Sequence, residues 1–126
     1  MAKSKRRILL LEGIHSVAVE FLIDKGYNVT SLAKALGEHE LLVELLQYHA
    51  VGIRSKTQLS NAILSKLPGL MVVGAFCIGT NQIDVKSANT YGIPVFNAPY
   101  SNTRSVAELV IGELIALSRK LGDQNR

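Results

Sequence analysis

A chain of 126 residues, 48% hydrophobic and 19% charged, is one domain's worth of globular material and long enough to bury a core. Its net charge of +4 is local: Lys3, Lys5, Arg6 and Arg7 hold four of the 14 basic residues, and the remainder balance the 10 acidic ones, so the body of the domain carries no general attraction for nucleic acid. The single cysteine, Cys77, excludes an intrachain disulfide framework and fits a reducing, cytoplasmic setting.

Short apolar runs alternate with helical patterns along the chain, which predicts β/α units and a parallel sheet. Residues 8–11 read as a buried first strand. They are too few for the apolar core of a signal peptide. Residues 16–25 form a helix with Val17, Val19, Phe21 and Leu22 apolar and Gly26 at its stop. A weaker strand covers 28–32. The next helix, 38–47, carries Leu41, Leu42, Leu45 and Leu46 on one side. Residues 50–53 are a third strand. Ser60 can cap a short helix to residue 66, ended by Pro68-Gly69. A fourth strand follows at 70–73, and Asp84 can cap a helix through residue 89. Residues 93–96 are a fifth strand, which Pro94 assigns to an edge or a strand start.

The last element, a helix over 105–120, differs from the others. Val106, Leu109, Val110, Ile111, Leu114, Ile115 and Leu117 surround most of its circumference. A helix apolar nearly all round is buried on more than one side, which implies a second domain or subunit; the plainer alternative is a wide core stripe. Glu108 and Glu113 interrupt the apolar run, which is too short to span a bilayer. Ser105 with Glu108 reads as a capping box, and Arg104 either joins a cleft or pairs with Glu108 one turn on. The expected fold is therefore α/β: a flavodoxin-like open parallel five-stranded sheet with flanking helices, residues 1–104, followed by a long C-terminal linking helix, 105–126.

In such sheets ligands gather beyond the carboxyl ends of the strands. Four segments fall there: Glu12-Gly13, Arg54-Ser55-Lys56, residues 75–81 and residues 98–104. Arginine offers a planar fork and lysine a point charge, so Arg54 and Lys56 suit a small, multiply anionic ligand; otherwise they are solvated surface cations. Cys77-Ile78-Gly79-Thr80 is a turn whose glycine permits close backbone approach, either a nest of N–H groups for a carboxylate or a plain strand-to-helix turn. Nothing supplies Cys77 with the partner base a nucleophile needs. His15, His39 and His49 match no metal spacing. No Gly-x-Gly-x-x-Gly occurs anywhere, so the chain lacks the loop that brings backbone to a dinucleotide's pyrophosphate.

Phe76-Cys77-Ile78-Gly79-Thr80-Asn81-Gln82-Ile83-Asp84 and Asn97-Ala98-Pro99-Tyr100-Ser101-Asn102-Thr103-Arg104-Ser105-Val106-Ala107-Glu108 closely resemble the bacterial-type D-3-phosphoglycerate dehydrogenases, a subgroup of the NAD-dependent D-2-hydroxyacid dehydrogenases. The resemblance implies the substrate-binding part of an enzyme that converts 3-phosphoglycerate to 3-phosphohydroxypyruvate in serine biosynthesis. It gives Arg54 a substrate contact and makes Ser55 and Lys56 its neighbours in the site; position 56 is usually arginine, so the bidentate geometry is lost there. Lys34 aligns with a further phosphate-contacting lysine, acting across a dimer. The Cys77-Ile78-Gly79 loop holds the substrate carboxylate, Ile78 lies near the nicotinamide, and Asn102 touches substrate or cofactor. The catalytic histidine, glutamate and arginine belong to the nucleotide-binding domain, which is missing here, so this chain alone is expected to be inactive. The helix over 105–120 crosses to that domain and contributes to a homo-oligomer. A different class of function is a stand-alone flavodoxin-like binding or regulatory module that associates with full-length subunits. Its phospho-receiver version fails, because the third strand ends in Arg54 where an aspartate is needed.

Overall fold

The structure, a computed structural model, describes residues 6–97 and 103–124, with side chains as far as residue 117. Strands and helices alternate: β1 (Arg7–Leu10), α1 (Ser16–Asp24), β2 (Asn28–Ser31), α2 (Glu38–Leu45), β3 (Ala50–Ile53), α3 (Asn61–Leu64), β4 (Val72–Ala75), α4 (Val85–Thr90), β5 (Val95–Asn97) and α5 (Thr103–Gln124). The five strands form one parallel sheet in the order β2-β1-β3-β4-β5, the flavodoxin-like arrangement. β5, preceded by Pro94, is an edge strand.

β3 and β4 are buried throughout, because helices cover the sheet on both sides. Alternation sends Leu9, Val51, Ile53, Val73 and Ala75 to one face, where Leu41 and Leu45 of α2, Ile63 and Leu64 of α3 and Ala88 of α4 meet them. Ile8, Leu10, Ala50 and Val72 point to the other, under Ala18 and Leu22 of α1 and Val106, Val110 and Leu114 of α5. Glycines set how closely that second layer approaches. Gly52 pairs with Gly74 across β3 and β4. A Cβ on Gly52 would lie 2.5 Å from Leu10 Cδ2 and 2.7 Å from Phe76 Cε1; one on Gly74 would lie 2.9 Å from Val110 Cγ2. The vacated space seats the Phe76 ring and the α5 valines.

Three details depart from the sequence expectation. β4 begins at Val72, two residues later than the apolar run at 70–73 suggests, because an unbroken apolar stretch carries no periodicity to mark its ends. α3 has only four residues, and Ser60 at its N-cap makes no side-chain cap bond; its Oγ is buried without a partner. α5 is already helical at Thr103, so Ser105 sits inside the first turn and is not the cap. Along α5, Val106, Ala107, Val110, Ile111 and Leu114 are buried, whereas Leu109 and Ile115, on the side the sequence assigns to a further domain or subunit, are 43% and 44% exposed. Asp84 does cap α4, its Oδ1 accepting from Ser87 N–H at 3.0 Å. Among the described residues no helix is long and apolar enough to cross a membrane.

Candidate functional site

Strand order reverses between β1 and β3, which opens a crevice beyond their carboxyl ends. The chain fills that crevice with its own anion. Glu12 and Gly13 both adopt positive φ, 67° and 62°, and turn the backbone sharply after β1. For glutamate this is a sparsely populated conformation, held only where the surroundings enforce it. They do so from two sides. Glu12 N–H donates to Lys34 O at 3.1 Å, and Gly13 N–H donates to Leu32 O at 3.0 Å. The Glu12 carboxylate accepts the N–H groups of Arg54 and Thr57 on Oε2 and of Lys56 on Oε1, each at 2.9 Å. Partial burial pushes the Glu12 carboxyl up, but the hydrogen bonds from Thr57, Lys56 and Arg54 outweigh it and hold the group below the usual carboxylate range. Beside those committed amides, the loop presents the exposed side chains of Arg54, Ser55 and Lys56.

The neighbouring turn is arranged in the opposite sense. Gln82, nearly fully buried, donates from Nε2 to Arg54 O at 2.7 Å and also reaches Cys77 Sγ at 3.2 Å and Gly79 O at 3.5 Å. Cys77 Sγ donates to Gly79 O at 3.1 Å, and Asn97 Nδ2 donates to Ile78 O. The turn's carbonyls are thus engaged from within. The N–H groups of Ile78, Gly79 and Thr80 have no acceptor among the described residues. That is the polarity a carboxylate nest needs.

Two clefts flank Cys77, which lines both. The larger, about 560 Å³, is bounded by Ser55, Gln58, Cys77, Ile78, Gly79, Asn81 and Gln82. The smaller, about 340 Å³, is bounded by Gly13, Ile14, His15, Arg54, Phe76, Cys77 and Thr103. Arg54, Ser55, Cys77, Ile78 and Gly79 are therefore brought to one rim, with Ile78 65% exposed there. Lys56 and Lys34 line neither cleft, although Glu12 ties the backbone of both to the same rim. Asn102 lies outside the described residues. Arg104 turns away from the site: it sits 3.6 Å from Glu108 and 5.1 Å from the centre of the Phe21 ring.

Sequence reasoning missed Glu12, Gln82 and Asn97 as organisers. Glu12 carried a faint signal, a charge directly after a buried apolar strand. For the two amides the sequence holds none, since a side chain bonded to a distant backbone atom leaves no local pattern. Two of the three histidines bond to backbone. His15 Nδ1 accepts from Val17 N–H at 3.0 Å as the α1 cap, and His49 Nδ1 accepts from Arg7 N–H at 3.0 Å. Among the described residues no group of three His, Cys, Asp or Glu is placed to hold a metal.

The order of the strands and the composition of the rim define an α/β domain with a polar, cation-bearing crevice at its switch point. Residues 8–119 match the D-isomer specific 2-hydroxyacid dehydrogenase catalytic domain, and the chain belongs to that family. It is 52% identical over 118 residues to D-3-phosphoglycerate dehydrogenase 2 of Saccharomyces cerevisiae, covering 94% of this chain and 25% of the relative. It is 46% identical over 126 residues to D-3-phosphoglycerate dehydrogenase of Escherichia coli, covering 99% of this chain and 31% of the relative. The chain thus spans under a third of the length of these relatives. Among solved structures, an NAD-bound 3-phosphoglycerate dehydrogenase of Entamoeba histolytica has the same fold, with TM-score 0.69 and 24% identity over 89% of this chain and 39% of that one.

Proposed function

We propose that this chain is the substrate-gripping portion of an NAD-dependent D-3-phosphoglycerate dehydrogenase, the cytoplasmic first step of serine biosynthesis. It receives 3-phosphoglycerate at the rim of β3 and β4. Arg54, with Ser55 and Lys56 beside it and Lys34 from the adjoining loop, answers the phosphate. The N–H groups of the Cys77-Ile78-Gly79 turn answer the carboxylate. Ile78 borders the nicotinamide, and Asn102 completes the contact with substrate or cofactor. The chain's part in the reaction is positioning and charge complementarity. Oxidation at C2 also needs a hydride acceptor and a proton acceptor, which fall to NAD and to residues of a nucleotide-binding domain. The chain by itself does not turn over. Leu109 and Ile115, the exposed apolar residues of α5, supply the surface for homo-oligomerisation or domain contact.

The observation that carries this reading is the pairing at one rim of a cationic loop with a turn whose carbonyls are held and whose amides are not. Amide NMR titration with 3-phosphoglycerate tests it. The resonances of Arg54, Ser55, Ile78 and Gly79 move together with one dissociation constant, and Arg54→Gln weakens binding about tenfold. Shifts scattered over α2 or β2, or NAD reduction by the purified chain alone, would overturn the proposal.

A further inference from the structure

Two loops carry the three candidate cations: Lys34 after β2, and Arg54 and Lys56 after β3. A single residue touches both. Glu12 uses its own N–H on Lys34 O and both carboxylate oxygens on the amides of Arg54, Lys56 and Thr57. It does this through backbone atoms, and it forms no ion pair with Lys34, Arg54 or Lys56. A carboxylate placed among three cations would ordinarily neutralise one of them. Here its lone pairs are spent on N–H groups, so the guanidinium and ammonium heads remain available. The positive φ of Glu12 is the means, since it sends the main chain toward the Lys34 loop and the side chain toward the Arg54 loop.

From this we infer that Glu12 is a positioning residue for anion recognition: it sets the spacing of the cation-bearing loops and keeps their side chains unpaired for the ligand. The inference rests on the proposed anion site, and names a residue in it that does not touch the ligand. A reach of this kind needs the length of glutamate. Aspartate is one methylene short for bonds to three amides of a neighbouring loop, and glutamine turns one of the two acceptors into a donor aimed at an N–H group.

The test uses the whole chain, with inorganic phosphate and 3-phosphoglycerate as probes in amide NMR titrations. Glu12→Gln is expected to weaken both probes about tenfold. In the free variant the amide protons of Arg54, Lys56 and Thr57 move upfield as charge-assisted bonds are lost, while those of Val51 and Val73 in the sheet stay in place. Glu12→Asp gives the same pattern with a smaller loss. Unchanged affinity in Glu12→Gln, with the three amides shifted, would overturn the inference and leave the proposed substrate standing. Collapse of the sheet's amide dispersion in both variants would make Glu12 a folding residue and overturn it as well. If the parent chain binds phosphate at Arg54 but 3-phosphoglycerate no better, the substrate reading fails, and the phosphate arm still decides on Glu12. If neither probe binds the parent chain, both fall.

Discussion

The rim beyond β1 and β3 and the seat of α5 over β4 are built on opposite principles. At the rim, the carboxylate of Glu12 and the amide of Gln82 make directional bonds to backbone groups of other loops, and the surrounding side chains are mostly exposed. At the seat, volume decides: two glycines remove side chains from the sheet, and Phe76, Val106 and Val110 occupy the space. The rim should therefore fail when chemistry changes at constant size, and the seat when size changes at constant chemistry. A rim of this kind can be tuned for a ligand without disturbing the core beneath it.

The largest effect belongs to the seat. Leu114 is fully buried, so Leu114→Ala should cost about 3 kcal/mol, read as a lowered urea midpoint with unchanged slope. Leu109→Ala and Ile115→Ala, at 43% and 44% exposed, should each stay within about 0.5 kcal/mol at low protein concentration. Equal losses at 114 and 115 would mean that α5 sits on the sheet with a different face. The same exposed pair reports on the proposed association: Ile115→Asp should raise the dissociation constant in sedimentation, and a parent chain that sediments as a clean monomer at high concentration would remove the oligomer proposal.

Next comes overpacking. Gly74→Ala puts a methyl 2.9 Å from Val110 Cγ2 and 3.2 Å from Val106 Cγ1, inside ordinary contact distance. The α5 valines must move, at a cost of about 1–2 kcal/mol. Gly79→Ala has nothing within 4 Å of the added carbon and should leave stability nearly unchanged. A thermal melt of both variants separates a glycine kept for packing from one in an open turn.

How much of this could be read from the residues follows the same division. The strands, the helices and the sheet class were legible because short apolar runs alternate with helical patterns: residues 50–53 are a strand in both accounts, and Pro94 marked the β5 edge correctly. Arg54 and the Gly79 turn were legible as strand-exit positions. The boundaries of β4 and the true start of α5 were not, since neither a continuous apolar run nor a polar turn announces its own limits. On α5 the residues counted as a second apolar side, Leu109 and Ile115, stand exposed in this domain. Glu12, Gln82 and Asn97 needed coordinates, because their partners lie 42, 28 and 19 residues away.

Between pH 7.5 and 4 the groups at the two ends of the sheet, His49 and Glu12, change stability with one sign. Burial lowers the His49 pKa below its ordinary 6.5, with Arg6 and Arg7 adding to it, and the neutral ring accepts from Arg7 N–H. A folded-state pKa below the unfolded one stabilises the protein above the unfolded value and loses that stabilisation as pH falls. The His49 contribution therefore fades as pH drops below 6.5, and that of Glu12, also lowered, fades below 4.5. Urea midpoints from pH 7.5 to 4 should fall in two stages. His49→Asn, which keeps an acceptor without titrating near neutrality, should flatten the first stage and leave the second.

A small effect should come from Arg104. It stands 3.6 Å from Glu108 on an exposed helix face, and its guanidinium lies over the Phe21 ring, which Lys25 approaches from 5.5 Å. Exposed ion pairs and cation–π contacts are each worth about 0.5 kcal/mol, and salt screens the ionic one. Arg104→Ala should thus cost less than about 1 kcal/mol, and the loss should shrink in high salt. Ligand affinity should be untouched, because the side chain is committed to α1 and to its own helix. A clear loss of 3-phosphoglycerate binding in this variant would return Arg104 to the cleft and shift the boundary between rim and seat by a full turn of α5.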